Sequence, residues 1–114
     1  MAATLISVVE TAAYLAEARR IMSKEERAAV VDLVAADPTC GELIPGGGGI
    51  RKIRIGLVGR GKRGGARVIY FHHSARIPVF LLTVFAKNER SDLSRAEVSA
   101  FAKAAKAISK TYGV

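Results

Sequence analysis

The residues of this sequence whose types and spacing could do chemistry lie between Ile50 and Tyr70, in the segment IRKIRIGLVGRGKRGGARVIY. Its first half alternates apolar residues with cations, and a period of two places Lys52 and Arg54 together on one face of a strand. Arg67 opens a second apolar run after a loop. Ammonium and guanidinium groups that converge beside a rigid sheet suit a phosphate backbone or a developing phosphorane.

The loop between these two runs, residues 59–65, contains only glycine, arginine and lysine, and its cations are Arg60, Lys62 and Arg63. Its glycines match the GxGxxG dinucleotide fingerprint, but that motif joins a strand to a helix. Here the loop is predicted to join two strands, which excludes a dinucleotide site. A glycine-rich loop is too mobile to preorganise a transition state. We therefore expect its cations to hold the phosphates of a bound polyanion.

The charge of the chain is concentrated in its middle. Residues 1–49 carry 4 Lys or Arg against 7 Asp or Glu, residues 50–90 carry 10 against 1, and residues 91–114 carry 4 against 2. The net charge of +8 therefore comes from the middle third. A single basic block of this kind indicates a domain that binds a polyanion, because a surface kept only for solubility mixes both signs.

Length and composition limit the class of protein. A chain of 114 residues, half of them apolar, fits a single domain over residues 1–114 with a core of its own. The lone Cys40 excludes an intramolecular disulfide and a Cys-rich zinc site, and fits a reducing cytosol. The longest apolar run, Ile77 to Ala86, is too short to cross a bilayer, and no signal-peptide pattern is present. We expect a cytoplasmic protein with no membrane partner, metal or cofactor.

The first half of the chain predicts a strand followed by two helices. Thr4 to Val9 is rich in β-branched residues and reads as the strand. Thr11 is expected to cap a helix that runs to about Met22, and the second helix starts at a capping box at Ser23. The apolar stripes of these two helices are predicted to be Tyr14, Ala18 and Ile21, then Val30, Leu33 and Val34.

The second half predicts three antiparallel strands and a final helix. Residues 39–49 read as a connector that ends in four glycines, and residues 72–76 read as the turn before a fully apolar strand in the middle of the sheet. A second capping box at Ser94 starts the last helix, and Gly113 ends it. That helix is predicted to bury Val98, Phe101, Ala105, Ile108 and Tyr112. The fold class is α+β, with a small, mainly antiparallel sheet, an N-terminal helical hairpin and a C-terminal helix.

The order of these elements, together with GIRKIRI, GRGKRGGARVIY and LLTVFAKNERSDLS, resembles the RelE/ParE superfamily of type II toxins. Within it, the sequence is most similar to the HigB-type, RelE-like branch, with its basic GKGKxGGxRVIYY-like hairpin and KNExxDLS-like segment. The resemblance covers nearly the whole chain. It implies a ribosome-dependent mRNA endonuclease that is held inactive by a cognate antitoxin, expected to be a DNA-binding helix-turn-helix protein. Ribosome and mRNA are the further partners that it implies.

The resemblance also assigns residues. The basic residues of the second strand correspond to Lys52 and Arg54, the arginine after the loop to Arg67, and the groups after the central strand to Lys87 and Asn88. These five are the expected catalytic residues. Contacts with ribosomal or messenger phosphates are expected from Arg51, Arg60, Lys62, Arg63 and Arg90.

The general base is left open by the sequence. Where some members of the superfamily carry a catalytic tyrosine, this chain has Ser94, which is already needed as a helix cap. His72 and His73 titrate near neutrality and could be recruited, although two adjacent residues at a strand end point to opposite faces. Tyr70 lies in a buried strand pattern and is expected to be a core residue.

Two other functions remain compatible with the sequence. A ParE-like inhibitor of DNA gyrase would share the fold, but it would have no need of the converging Lys52, Arg54 and Arg67. A non-catalytic nucleic-acid-binding module would be expected to expose aromatic residues for base stacking, and none occurs between Ile50 and Ala66.

Overall fold

A computed structural model describes residues 6–58 and 64–114, which form five strands and three helices. In chain order these are β1 (Val8–Glu10), α1 (Ala12–Ile21), α2 (Lys24–Ala36), β2 (Glu42–Leu43), β3 (Ile50–Ile55), β4 (Ala66–Phe71), β5 (Val79–Ala86) and α3 (Arg95–Thr111). The predicted α+β fold is confirmed.

The strands form one sheet in the order β1-β5-β4-β3-β2. Among these strands β1 and β5 are parallel, and the other neighbouring pairs are antiparallel. β4 is the middle strand, and all six of its residues are buried. β5 was predicted to lie in the middle because it is apolar on both faces. It is an interior strand, between β1 and β4, and the two apolar layers of the protein cover its two faces.

The N-terminal strand starts later than predicted, at Val8, while Thr4 and Leu5 lie outside the described residues. Thr11 caps α1 as expected, because its Oγ1 accepts a hydrogen bond from the Tyr14 amide at 3.2 Å. The same hydroxyl donates to the Leu81 carbonyl of β5 at 2.8 Å. A single side chain therefore starts the helix and attaches it to the sheet.

The second helix confirms the capping box at Ser23, where both reciprocal hydrogen bonds with Glu26 are present. Val30 and Val34 are buried, but Leu33 is 40% exposed, so its place in the apolar stripe was wrong. Successive helical residues are rotated by about 100°. Leu33 therefore points away from the sheet when Val34 faces it.

Two apolar layers enclose the sheet. α1 and α2 cover the face that carries Ile53, Val68 and Tyr70, whereas α3 covers the opposite face around Ile69 and Phe85.

The last helix confirms the capping box at Ser94 and the left-handed Gly113 after its end, with φ 72°. Ala105 is fully buried, and Phe101 and Ile108 pack against the core while partly exposed. Tyr112 was predicted to be buried but is 47% exposed. It lies in the cap position, where its ring meets the edge of Phe80 at a centroid distance of 6.0 Å.

The connector contains a short edge strand that was not predicted, β2, which places Glu42 opposite Lys52. The glycines after it form a turn in which Gly46, Gly48 and Gly49 have positive φ. A Cβ at Gly47 would lie 2.4 Å from the Ile50 side chain. The turn can therefore pack directly against the start of β3.

Candidate phosphate-binding cleft

The predicted basic residues of β3 and β4 meet on one face of the sheet. Arg54 and Arg67 are directly paired across the two strands, and paired residues of antiparallel strands point to the same face. Lys52 lies two residues from Arg54 and therefore shares that face. Together with Cys40, Glu42 and Ile53 they line a concave cleft of about 440 Å³, which we call the basic cleft.

Arg67 is the most restrained of these cations. It is 9% exposed, and its Nη1 donates to the carbonyl oxygens of Gly64 at 2.5 Å and Ala66 at 3.2 Å. Both of these hydrogen bonds come from Nη1 and tie the guanidinium to the turn before β4. A guanidinium fixed in this way pays little ordering entropy when it binds an anion.

Lys52 is oriented by a carboxylate that was not among the predicted site residues. Its Nζ lies 3.1 Å from both carboxylate oxygens of Asp92. A hydrogen bond from the Leu93 amide and the contact with Lys52 lower the pKa of Asp92. The carboxylate is thus charged near neutrality and keeps the ammonium in place. The only sequence signal for it was its position in the polar segment after β5.

Lys87 and Asn88 emerge at the same end of the sheet as Arg67. Ala86 pairs with Ala66, and the Lys87 amide donates to the Gly65 carbonyl at 2.9 Å. A Cβ at Gly64 would lie only 2.8 Å from Lys87 Cγ, so the lysine stem packs on the turn that holds Arg67. Its Nζ donates to the Ser91 carbonyl at 2.8 Å, and Asn88 is exposed. Neither residue lines the basic cleft.

Arg51 lies outside the basic cleft. It is on the opposite face of β3 from Lys52, and its Nη1 donates to the carbonyls of Gly41 at 2.8 Å and Thr39 at 3.3 Å. This guanidinium holds the connector before β2 in place. A role in binding RNA stays a prediction.

Arg90 also has a structural engagement. It forms a two-pronged ion pair with Glu97, the acidic residue of the α3 capping box, and donates to the Asp92 carbonyl at 2.9 Å. Its guanidinium carbon lies 5.0 Å from the centre of the Phe85 ring. The arginine therefore braces the segment that presents Asp92, while its predicted contact with RNA stays a prediction. Arg60, Lys62 and Arg63 lie outside the described residues, and their assignment also stays a prediction.

The histidines lie at the far end of β4. Five residues separate Arg67 from His72, which corresponds to about 16 Å along a strand. Burial lowers the pKa of His72, and His73 is exposed beside Ser74. Neither histidine lines the basic cleft, and a catalytic role for either one stays a prediction.

Tyr70 is a core residue, as predicted. It is fully buried, and its hydroxyl donates to the Pro38 carbonyl and accepts from the Gly41 amide, both at 2.8 Å. Desolvation by burial raises its pKa. Tyr70 therefore stays neutral and fastens the connector to the sheet.

The donor set of the basic cleft suits an anion rather than a metal. Lys52, Arg54 and Arg67 carry its positive charge, and Glu42 is the one acidic residue among the described residues that line it. In residues 6–58 and 64–114 no group of three or more His, Cys, Asp or Glu side chains is placed to hold a metal ion. Over the same residues, none of the helices combines the length and the apolar character needed to cross a membrane.

A comparison with protein families gives a match over most of the chain. The family described as "RelE toxin of RelE / RelB toxin-antitoxin system" matches residues 12–113. The matched span runs from the first residue of α1 to the glycine that follows α3. It includes all the described residues that line the basic cleft.

Proposed function

This chain belongs to the RelE toxin family, and we propose from that premise that it is an endoribonuclease that cleaves mRNA on the ribosome. Membership makes it a toxin of a toxin-antitoxin system, with an antitoxin as its partner. Toxins of this family are generally mRNA-cleaving endoribonucleases. The observation that carries the proposal for this chain is the convergence of Lys52, Arg54 and Arg67 on one concave face.

The cleft provides groups for the charge that develops in RNA cleavage. Attack of a 2′-hydroxyl on the adjacent phosphorus builds negative charge on the non-bridging oxygens before the bond to the 5′-oxygen breaks. We assign stabilisation of that charge to Arg67 and Arg54, which are cross-strand neighbours. Arginine stays charged at any working pH and can bind two phosphate oxygens at once.

Lys52 is the proposed proton donor to the departing 5′-oxygen. Its ammonium is charged and is held at the cleft by Asp92. A proton must also leave the 2′-hydroxyl, and in the described part of the chain Glu42 is the carboxylate that lines the cleft. We propose Glu42 as the acceptor of that proton, because β2 pairs it directly with Lys52. A base and an acid in register across two strands can act on the two oxygens that flank one phosphorus.

We propose that the ribosome binds to the surfaces around the basic cleft. We propose that Arg60, Lys62 and Arg63 of the basic loop hold ribosomal or messenger phosphates. The catalytic role expected of Lys87 and Asn88 stays a prediction, and neither residue lines the basic cleft. We propose that Arg51 and Arg90 also contact ribosomal or messenger phosphates, through the N–H donors of each guanidinium that are not used in its structural hydrogen bonds. An enzyme that acts on translating ribosomes would work in the cytoplasm.

The antitoxin is proposed to be acidic where it meets this chain. A net charge of +8 that is concentrated in the middle of the sequence favours fast, salt-sensitive association with an acidic partner. We also propose, from the resemblance to HigB-type toxins, that the antitoxin is a DNA-binding helix-turn-helix protein.

The proposal is tested by mapping the 5′ ends of cellular messages after the toxin is induced without antitoxin. New 5′ ends within translated messages are expected, and the Arg67→Ala variant should produce far fewer of them. Plasmid supercoiling is measured in the same cultures. Intact messages with lost supercoiling would reject the nuclease in favour of gyrase inhibition.

A further inference from the structure

A second concave surface lies between α3 and the glycine turn before β3. It encloses about 730 Å³, more than the basic cleft, and the described residues that line the two surfaces do not overlap. Val98 and Ala102 of α3 and Gly48 of the turn form part of its floor, and Arg95, Lys103 and Lys106 lie along its rim. We call it the α3 groove.

The groove exists because small residues meet where the turn crosses the helix. Gly48 has φ +67°, and a Cβ placed there would lie 3.6 Å from the Ala102 side chain. An L-residue at position 48 would be strained in this left-handed conformation. The residues of α3 that line the groove run from Arg95 to Ser109, about four turns of helix.

The charge of the groove has one sign. Arg95, Lys103 and Lys106 are exposed, and no acidic residue lies among the described residues that line it. Glu97, the acidic residue in the first turn of α3, is turned away to the Ser94 amide and to Arg90. The basic cleft differs in this respect, since Glu42 lines it and Asp92 neutralises Lys52.

We infer that the α3 groove binds an acidic, amphipathic segment of the antitoxin. Apolar side chains of that segment would cover Val98 and Ala102, and its carboxylates would meet Lys103 and Lys106. Single-stranded RNA fits this surface less well, because the apolar side chains of Val98 and Ala102 offer no hydrogen-bond donor to a phosphate backbone. The inference rests on the proposed toxin role for its partner but does not depend on mRNA cleavage.

The test is a titration of this chain with the purified antitoxin encoded beside it. The double variant Lys103→Glu with Lys106→Glu should raise Kd at least tenfold. Its matched control, Lys24→Glu with Lys110→Glu, changes the net charge equally at exposed helical positions outside the groove and should shift Kd less than threefold. Ala102→Trp fills the floor and should also weaken binding, and thermal melting shows whether each variant is folded.

Other occupants of the groove would give different results. Antitoxin binding that is equal for wild type and the Lys103→Glu, Lys106→Glu variant would overturn the inference. Weaker ribosome association in that variant, with an unchanged antitoxin Kd, would assign the groove to RNA. Loss of a dimer of the free protein, seen by sedimentation, would assign it to a second copy of this chain.

Failure of the inference and failure of the nuclease proposal can be told apart. Cleavage of mRNA on purified ribosomes is measured for the same variants without antitoxin, and it should stay within twofold of wild type. A wild-type protein that cleaves no message, while charge reversal still weakens antitoxin binding, would reject the nuclease and leave the groove assignment intact.

Discussion

Lys52 and Asp92 are 40 residues apart in the chain, yet the ammonium of Lys52 lies 3.1 Å from both carboxylate oxygens of Asp92. The contact joins β3 to the segment between β5 and α3. Asp92 Oδ1 also accepts a hydrogen bond from the Leu93 amide at 2.8 Å, so the carboxylate has little freedom. The pair therefore determines where the Lys52 charge is presented to the basic cleft.

Replacing this carboxylate with its neutral amide should separate catalysis from stability. Asp92→Asn keeps an oxygen for the Leu93 amide but removes the charge that orients Lys52, so we expect kcat to fall about tenfold with little change in ribosome binding. The free energy of unfolding should change by less than about 1 kcal/mol, because the Asp92 side chain is 57% exposed. Single-turnover cleavage and urea denaturation measure the two effects. A decrease in kcat that matched a decrease in the folded fraction would assign Asp92 a structural role only.

Arg67→Ala should remove an interaction that matters most in the transition state. Removing one such interaction costs about 3 kcal/mol, or on the order of a hundredfold in rate. Ribosome binding should stay largely intact, since Arg67 is 9% exposed and offers little surface to a large partner. The matched control is Arg76→Ala, an exposed arginine in the turn before β5. Cleavage by Arg67→Ala at a near wild-type single-turnover rate would limit Arg67 to a structural or binding role.

The loop cations are expected to contribute to ribosome binding, whereas Arg67 is expected to contribute to catalysis. Lys62→Ala with Arg63→Ala is expected to weaken ribosome association and to lower its salt dependence by roughly one unit for each phosphate that is no longer bound. Cleavage should recover at saturating ribosome concentration, because the groups around the phosphorus are unchanged. Equal cleavage rates at low and at saturating ribosome concentration in this variant would contradict that division.

Substitutions at Glu42 and His72 should show which of the two residues is the general base. Glu42→Gln keeps the size of the side chain but cannot accept the 2′-hydroxyl proton. We therefore expect kcat to fall by a factor of roughly 10² to 10⁴, the range typical of general bases. His72→Gln should leave the pH–rate profile unchanged, because about 16 Å of strand separates it from Arg67. A profile that lost a limb near neutrality in His72→Gln would reverse this assignment.

The ion pair of Glu97 predicts how stability responds to acid. Its hydrogen bonds with Arg90 lower the pKa of Glu97 to about 2 from an ordinary 4.5. A lowered pKa means that the charged form stabilises the fold above about pH 4.5, and that this contribution is lost as the pH falls towards 2. Glu97→Gln keeps a capping-box side chain and should cost about 0.5–1 kcal/mol at pH 7. Urea denaturation at pH 7 and pH 2.5 should show that difference becoming much smaller at the lower pH, and Glu25→Gln, in the first turn of α2, serves as control.

Alanine substitutions at two glycines of the β3–β4 connection should have different effects on the stability of the protein. Gly65 has φ +63°, and a Cβ there would lie 2.0 Å from the Ile55 carbonyl oxygen, so Gly65→Ala should lower the free energy of unfolding by about 2 kcal/mol or more. Gly56 has nothing within 4 Å of such a Cβ, and Gly56→Ala should stay within about 0.5 kcal/mol of wild type. Chemical denaturation of the two variants measures the contrast. Equal stabilities would show that the backbone of Gly65 relaxes easily.

Several features of this protein were readable from the sequence because they depend on neighbouring residues. The capping boxes at Ser23 and Ser94 involve residues three apart and were predicted correctly. Lys52 and Arg54 share a face because side chains alternate along any strand. The family followed from motifs, and the family match confirms it, although that match does not specify the HigB branch.

The basic cleft itself needed the tertiary structure. Alternation along β3 separates Arg51 from Lys52, but only the fold shows that Arg51 fastens the connector before β2 and that Lys52 faces Asp92. Arg90 also reads as one more cation of the basic block until α3 brings Glu97 to it.

β2 went unnoticed because a two-residue edge strand has no periodicity to detect, yet its pairing places Glu42 opposite Lys52. Contacts between residues 10 to 40 positions apart depend on strand register and helix docking. These are settled by burying two apolar layers at once, which no local stretch of sequence encodes.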